Sequence, residues 1–252
     1  MAEEMVTGYE ARFDFPHFQG QRRPYLFASV PRTGSTYLSH LLWKTGCMGA
    51  PLEYLNFDPA GPYGHASELR GEQERLWRAA LDGRTSPNGL FGIKVFPIQF
   101  EWLFENNPQL VDQAIRTLLP GPALNRVVQL RRRDRDAHLI SYARAILSGV
   151  WRKEQEGLGL PPAGFDRKAI DFAASLIDRQ EETWRQMFRD LRIEPLVVWY
   201  EDVVAQPREA VEAIARYLGV VLDPGAAVTI PAIERQSQEG VSEWSMRLRE
   251  GG

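Results

Sequence analysis

Residues 1–23 are polar and irregular and read as an N-terminal arm. The first unbroken apolar run is Tyr25-Leu26-Phe27-Ala28-Ser29-Val30 after Pro24, the pattern of a parallel strand buried on both faces. Pro31-Arg32-Thr33-Gly34-Ser35 interrupts it. From Thr36 the spacing turns helical, with Tyr37, Leu38, Leu41 and Leu42 on one side and Gly46 as a stop. Two more strands are predicted at Gly89–Val95 and Arg126–Leu130, the second running into a helix from Asp136 to about Leu147. Residues 154–164 are rich in Gly and Pro and read as a surface loop. Asp166 then caps a long amphipathic helix that lines up Ile170, Ala173, Ile177, Trp184, Phe188 and Leu191. Ile193–Tyr200 is a fourth strand, and Pro207–Leu218 is a helix with Pro at its start and Gly219 at its end. Strands alternating with helices predict an α/β fold, with one domain over residues 24–252 built on a parallel sheet flanked by helices on both faces.

Composition narrows the class. With 252 residues, 44% hydrophobic and 25% charged, the chain can bury a core without staples, and it is neither disordered, collagen-like nor a coiled coil. A net charge of −3 supplies no global basic field for nucleic acid. Cys47 is the only cysteine, so no disulfide within the chain and no cysteine-based metal site can form. His17, His40, His65 and His138 fall into no metal-binding pairing, and no metal is expected. The N-terminus lacks an apolar signal segment and no run approaches the ~18 apolar residues of a membrane span, so a cytoplasmic protein is expected. The basic side is lopsided, 26 Arg against 4 Lys. Arg suits bidentate recognition of phosphate and sulfate, yet a biased genome produces the same excess, so position has to decide.

Open α/β sheets bind ligands beyond the carboxyl ends of their strands. The first such turn, Val30 to Thr36, combines a Gly, three hydroxyls, one Arg and a helix N-terminus, which makes a P-loop-like anion cradle. A plain strand–helix turn with a Ser/Thr cap is the alternative. Neither the ATP-type G-x-x-x-x-G-K-[ST] nor G-x-G-x-x-G is present. The third strand ends in Leu130-Arg131-Arg132-Arg133-Asp134-Arg135-Asp136, and Ser141-Tyr142 follows on the next helix. A charge run is ordinarily a solvated face. This one lies at a strand end beside an independent cradle, and nine positions from Arg132 to Ser141 allow both to reach one phosphate, so a second phosphate site is expected.

A cradle after the first strand, then Arg and Ser after a later one, resembles the sulfotransferases that use 3′-phosphoadenosine 5′-phosphosulfate (PAPS). Ala28–Leu38 and Thr45–Tyr54 are similar to the R-[ST]-G-S-T-x-L and T-G-x-x-G-x-P-x-E-[FY] patterns of the bacterial trehalose (carbohydrate) sulfotransferases. Similar stretches recur in order at Gly89–Lys94, Arg132–Arg144, Val150–Arg152, Glu194–Tyr200 and Glu234–Arg249. The resemblance implies the sulfotransferase fold, PAPS as co-substrate without a metal, and a homodimer. It implies that Arg32, Thr33, Gly34, Ser35 and Thr36 grip the 5′-phosphosulfate, that Arg132 or Arg133 with Ser141 holds the 3′-phosphate, and that Arg235 reaches the 3′-phosphate or the adenine ribose. Arg32 is suited to the bridging oxygen, where charge grows during transfer.

Eukaryotic cytosolic relatives carry K-x-H after a later strand. The corresponding stretch here is Lys94-Val95-Phe96, which keeps a cation for sulfate oxygens and lacks the His. The resemblance points instead to Glu53 as general base, a group ionised at neutral pH without tuning. A surface carboxylate at a helix end is the alternative. Trp151 and Arg152 are candidates for the acceptor wall; Trp102, Trp184, Trp199 and Trp244 read as core, His40 as structural and Cys47 as a small buried residue.

The expected reaction is sulfuryl transfer from PAPS to a hydroxyl of a small acceptor, a carbohydrate or glycolipid, giving adenosine 3′,5′-bisphosphate (PAP). Residues 57–84, with the turn-rich Pro59–Gly64, and the 154–164 loop depart most from the family, and a sugar, a lipid-linked glycan and a natural-product phenol all stay open as acceptors. Two other functions compete. A P-loop small-molecule kinase lacks its G-K-[ST], and a non-catalytic nucleotide-binding protein of the same fold is opposed only by the set Arg32, Lys94 and Glu53.

Overall fold

The computed structural model describes residues 6–151, 164–233 and 240–250. Strand β1 (Arg23–Ala28) turns at Val30–Gly34 into α1 (Ser35–Lys44). Helix α2 (Arg70–Gly83) precedes β2 (Leu90–Val95), and α3 (Pro97–Asn106) and α4 (Pro108–Leu118) lead to β3 (Val127–Arg131). After β3 come α5 (Arg135–Ser148), α6 (Arg167–Asp190), β4 (Leu196–Trp199), α7 (Tyr200–Ala205), α8 (Pro207–Leu218) and α9 (Val241–Arg249).

The sheet order is β2-β1-β3-β4 and its described pairings are parallel, with Phe27 opposite Lys94 on one side and Val128 on the other. The chain leaves β1 for β2 in one direction and adds β3 in the other, which puts the topological switch point between β1 and β3. Side chains alternate across β1. Tyr25 and Phe27 pack with Leu38 and Leu42 of α1 and Ile214 and Leu218 of α8. Leu26 and Ala28 pack on the opposite face with Leu103, Leu110, Ile177 and Trp184 from α3, α4 and α6. The α/β architecture with helices on both faces is therefore the one the hydrophobic pattern predicts.

Boundaries differ for local reasons. Strand β1 ends before Ser29 because the Ser29 carbonyl accepts a hydrogen bond from the Trp184 indole at 2.7 Å. The predicted fourth strand loses its first three residues: Arg192 takes a left-handed φ of 52° and Pro195 has no N–H to donate. That same turn places Leu191 beyond α6, where it is exposed rather than part of the apolar face.

The arm is irregular apart from one turn of 3₁₀ helix at Ala11–Phe13, yet it is fastened down. Buried Arg84 donates to the carbonyls of Gly8 and Glu10, both at 3.0 Å, and pairs with Asp14 at 2.9 Å. Tyr9 packs edge-on against Tyr54 and Tyr63.

Candidate active site

The turn after β1 adopts two left-handed residues, Arg32 at φ 70° and Gly34 at φ 83°. Gly34 is required there also by space, since a Cβ would lie 2.2 Å from the Tyr200 ring. Arg32 pays a conformational cost for the same geometry and its side chain shows what holds it. Its Nε donates to Ser141 Oγ at 3.0 Å and one terminal nitrogen donates to the Trp151 carbonyl at 2.7 Å. Cradle and α5 serine, 109 positions apart, thus meet, a contact between Arg32 and Ser141 that sequence spacing does not predict. Arg132 donates to the Arg32 carbonyl at 3.2 Å and stacks over Tyr200, 5.0 Å from the ring centre. Burial pushes the Arg32 pKa down to about 10, and the charges of Arg132 and Arg144 push the same way. Arg32 remains charged at neutral pH, in a site crowded with guanidinium groups.

The frame of the cradle uses groups that a ligand cannot reach. Thr33 is buried; its hydroxyl donates to the Val30 carbonyl at 2.9 Å and sits 2.6 Å from Ser29 Oγ. Only the Thr33 backbone is left to serve an anion. His138, on α5, donates from Nε2 to the Pro31 carbonyl at 2.8 Å. Burial lowers its pKa to about 4, assisted by Arg132, Arg135 and Arg32 and opposed by the bond to Pro31. The imidazole is neutral, with its proton on Nε2. No sequence motif marks His138, because its partner is a backbone carbonyl 107 residues away.

Across β1 lies the second half of the site. Lys94 on β2 is 2% exposed, and its Nζ is 3.1 Å from Glu53 Oε1 and 3.2 Å from Thr36 Oγ1 in the first turn of α1. Glu53 is 8% exposed, so it is no surface carboxylate. Its Oε2 accepts from Gln99 Nε2 at 2.7 Å and from Asn56 Nδ2 at 2.8 Å, and its backbone N–H donates to the Tyr9 hydroxyl at 3.0 Å. The segment before it lies close along β2: Lys94 N–H donates to the Leu52 carbonyl at 3.0 Å, and a Cβ on Gly49 would come within 2.8 Å of the Gly92 nitrogen. Gly49 is the residue that permits this approach. Gln99, Asn56 and Tyr9 escape sequence reasoning, since nothing local ties them to Glu53.

The remaining arginines are elsewhere. Arg133 is exposed, doubly bonded to the Asp202 carboxylate at 2.5 and 2.7 Å. Arg131 pairs with Glu181 at 3.0 Å and Arg135 with Asp178 at 2.6 Å. With Arg132, His138 and Trp199 these residues line a cavity of about 350 Å³ at the ends of β3 and β4. Trp199 is accordingly not core: β4 is an edge strand, and the half-buried ring underlies the guanidinium groups of Arg131 and Arg133. Trp184 and Trp244 are buried in the apolar core and Trp102 packs half-buried against that core, as expected. His40 bonds within α1 to the Thr36 carbonyl at 2.9 Å, and Cys47 is buried. Arg152 and Arg235 lie outside the described residues.

The Stf0 sulphotransferase family matches residues 24–251. The chain belongs to that family. Trehalose 2-sulfotransferase from Mycobacterium tuberculosis is 27% identical to this Stf0 sulphotransferase over 265 residues, covering 90% of this chain and 94% of the relative. The protein of the same name from Mycolicibacterium smegmatis is 27% identical over 256 residues, covering 89% and 94%. Among solved structures, the sulfotransferase domain of the curacin biosynthetic pathway aligns over 82% of this chain and 77% of its own at 14% identity, with a TM-score of 0.48. Membership sets the kinase aside. Among the described residues no helix is long and apolar enough to cross a membrane.

Proposed function

We propose that this Stf0 sulphotransferase moves the sulfuryl group of PAPS to a hydroxyl of a small carbohydrate and releases PAP. The observation that carries this is the buried chain Thr36–Lys94–Glu53, which begins on the helix that the Arg32 turn opens. The acceptor oxygen forms the new bond to sulfur while the bond from sulfur to the bridging oxygen breaks. The acceptor proton passes to Glu53, and the electron pair stays on the departing 5′-phosphate. Arg32 neutralises charge as it grows on the bridging oxygen, and Lys94 sits between the base and the sulfate-facing hydroxyl of Thr36.

The donor set suits a polyanion. Burial lowers the Arg32 pKa and the positive charges of Arg132 and Arg144 lower it further, a repulsion that an anion relieves. Arg132 and Ser141 hold the 3′-phosphate, and Arg133 joins them by exchanging Asp202 for phosphate. On the acceptor side, the half-buried rings of Tyr9 and Tyr63 meet edge-on beside the Glu53 segment, with buried Phe57 stacked behind Tyr63, and suit the apolar face of a sugar. The names of the two relatives support trehalose or a similar disaccharide.

The test is a labelling assay with radioactive PAPS and three separate acceptors: trehalose, a monosaccharide panel and a simple phenol. Label on a sugar is the expected result. Label on the phenol alone would remove the carbohydrate acceptor, and no transfer to any hydroxyl, with PAP still bound, would leave a nucleotide-binding protein.

A further inference from the structure

The carboxylate of Glu53 is held asymmetrically. Each carboxylate oxygen offers about two acceptor sites. Oε2 has both filled, by Gln99 Nε2 at 2.7 Å and Asn56 Nδ2 at 2.8 Å, while Oε1 lies 3.1 Å from Lys94 Nζ. The orientation of the Gln99 amide is decided by its other end: its Oε1 accepts the Phe96 backbone N–H at 3.0 Å, at the start of α3, so its nitrogen must face Glu53. Gln99 is buried and cannot turn to solvent.

We propose that Gln99 and Asn56 are positioning residues whose two hydrogen bonds to Oε2 fix the rotation of the Glu53 carboxylate beside Lys94 and keep it ionised for proton transfer. This deepens the assignment of Glu53 as base and rests on it. The two amides hold the carboxylate in one rotation and stabilise its ionised form, which is the form that accepts a proton. Among the described residues, the groups facing Glu53 include Lys94 from β2, Gln99 from α3, Asn56 from the following turn and the Tyr9 hydroxyl from the arm.

Two isosteric variants test this. Gln99→Glu keeps the acceptor for the Phe96 N–H, hence the helix cap, but sets a second carboxylate against Oε2. Asn56→Asp does the same from a segment outside any helix. In each, the Glu53 carboxyl should titrate at least about one pH unit higher, because two carboxylates in contact resist double ionisation. This is read in the free protein by NMR of carboxyl-labelled glutamate, the Glu53 signal being the one missing in Glu53→Gln. In the transfer assay the acidic limb of kcat should move up by the same amount, so that kcat falls ~10-fold at pH values below the limb and little at neutral pH, with PAP affinity unchanged. An unmoved Glu53 titration in either folded variant overturns the proposal. Failure of the base assignment looks different: Glu53→Gln would keep its rate while the titration still moved in the other two variants.

Discussion

Two ion pairs close the two ends of this site, and they are built on opposite terms. Glu53 and Lys94 meet with only 10% and 3% of their side chains exposed, whereas Arg133 and Asp202 keep 49% and 55% in water. Around Glu53 each neighbour comes from a different part of the chain and each polar atom is directed at the carboxylate. Along the arginine run Arg131, Arg133 and Arg135 each pair with a carboxylate of their own and lie beside others of their kind. A buried pair is expensive to break and fixes geometry. An exposed pair is screened and contributes little, so its arginine can change partner when a stronger anion arrives. On the proposed assignment, the end that holds Glu53 is thus preorganised and the arginine-lined end is exchangeable.

The largest effect is expected where the buried pair is cut. Glu53→Gln keeps shape but cannot accept a proton, and turnover should fall by roughly 10²–10⁴-fold with PAP affinity retained. The substitution also leaves the Lys94 ammonium without its counter-charge, so the melting temperature should drop, on a scale of ~3 kcal/mol. Glu53→Gln with Lys94→Met should recover stability and not rate. Recovery of rate in the double variant would mean that the pair is structural and that catalysis lies elsewhere.

Next comes the hinge between the two ends, His138. Its folded pKa of about 4 lies below the ordinary 6.5, so the unfolded chain takes up the proton first as pH falls. The contribution is fully present above pH 6.5 and is lost as pH drops toward 4, amounting to about 2 kcal/mol at pH 5 and about 3 kcal/mol below that. Urea unfolding of the wild type and His138→Gln, at pH 7.5 and pH 5, checks this: the gap between them should narrow by ~2 kcal/mol at the lower pH. A constant gap would mean that His138 is charged in the folded state and that the Pro31 bond is misassigned.

The sheet and the cradle turn are legible in the sequence because each rests on periodicity or on residues within one loop and its helix. Helices α3 and α4 are not predicted: Pro97 and Pro108 stand at their first helical positions, where a missing N–H costs nothing. Gln99 and Asn56 are invisible for another reason. Amides carry no charge pattern, and their role exists only because α3 and the turn after Glu53 meet in space. Trp199 misleads because strand spacing cannot tell a central strand from an edge.

At the exchangeable end, Arg132 should matter more than any neighbour, because it already touches the cradle through the Arg32 carbonyl. Arg132→Ala should cost ~1.5–3 kcal/mol of PAP affinity by calorimetry, and much less for AMP, which lacks the second phosphate. Equal losses for PAP and AMP would move Arg132 to the 5′ end and remove the second anion site.

The smallest effect isolates the exchange itself. If Arg133 leaves Asp202 for the 3′-phosphate, Asp202 competes with the ligand, and Asp202→Ala should tighten PAP binding by ~2–5-fold at low salt. Because both side chains are exposed, the gain should shrink as salt is raised toward 0.5 M, where the Debye length falls to a few Å. Arg133→Ala should show the opposite sign, a modest salt-dependent weakening. The Glu53–Lys94 pair should show no such salt dependence in its stability contribution, since water and ions do not reach it. Unchanged PAP affinity in both Asp202→Ala and Arg133→Ala would leave Arg133 as a surface brace between β3 and α7, with Arg132 and Ser141 carrying the 3′-phosphate alone.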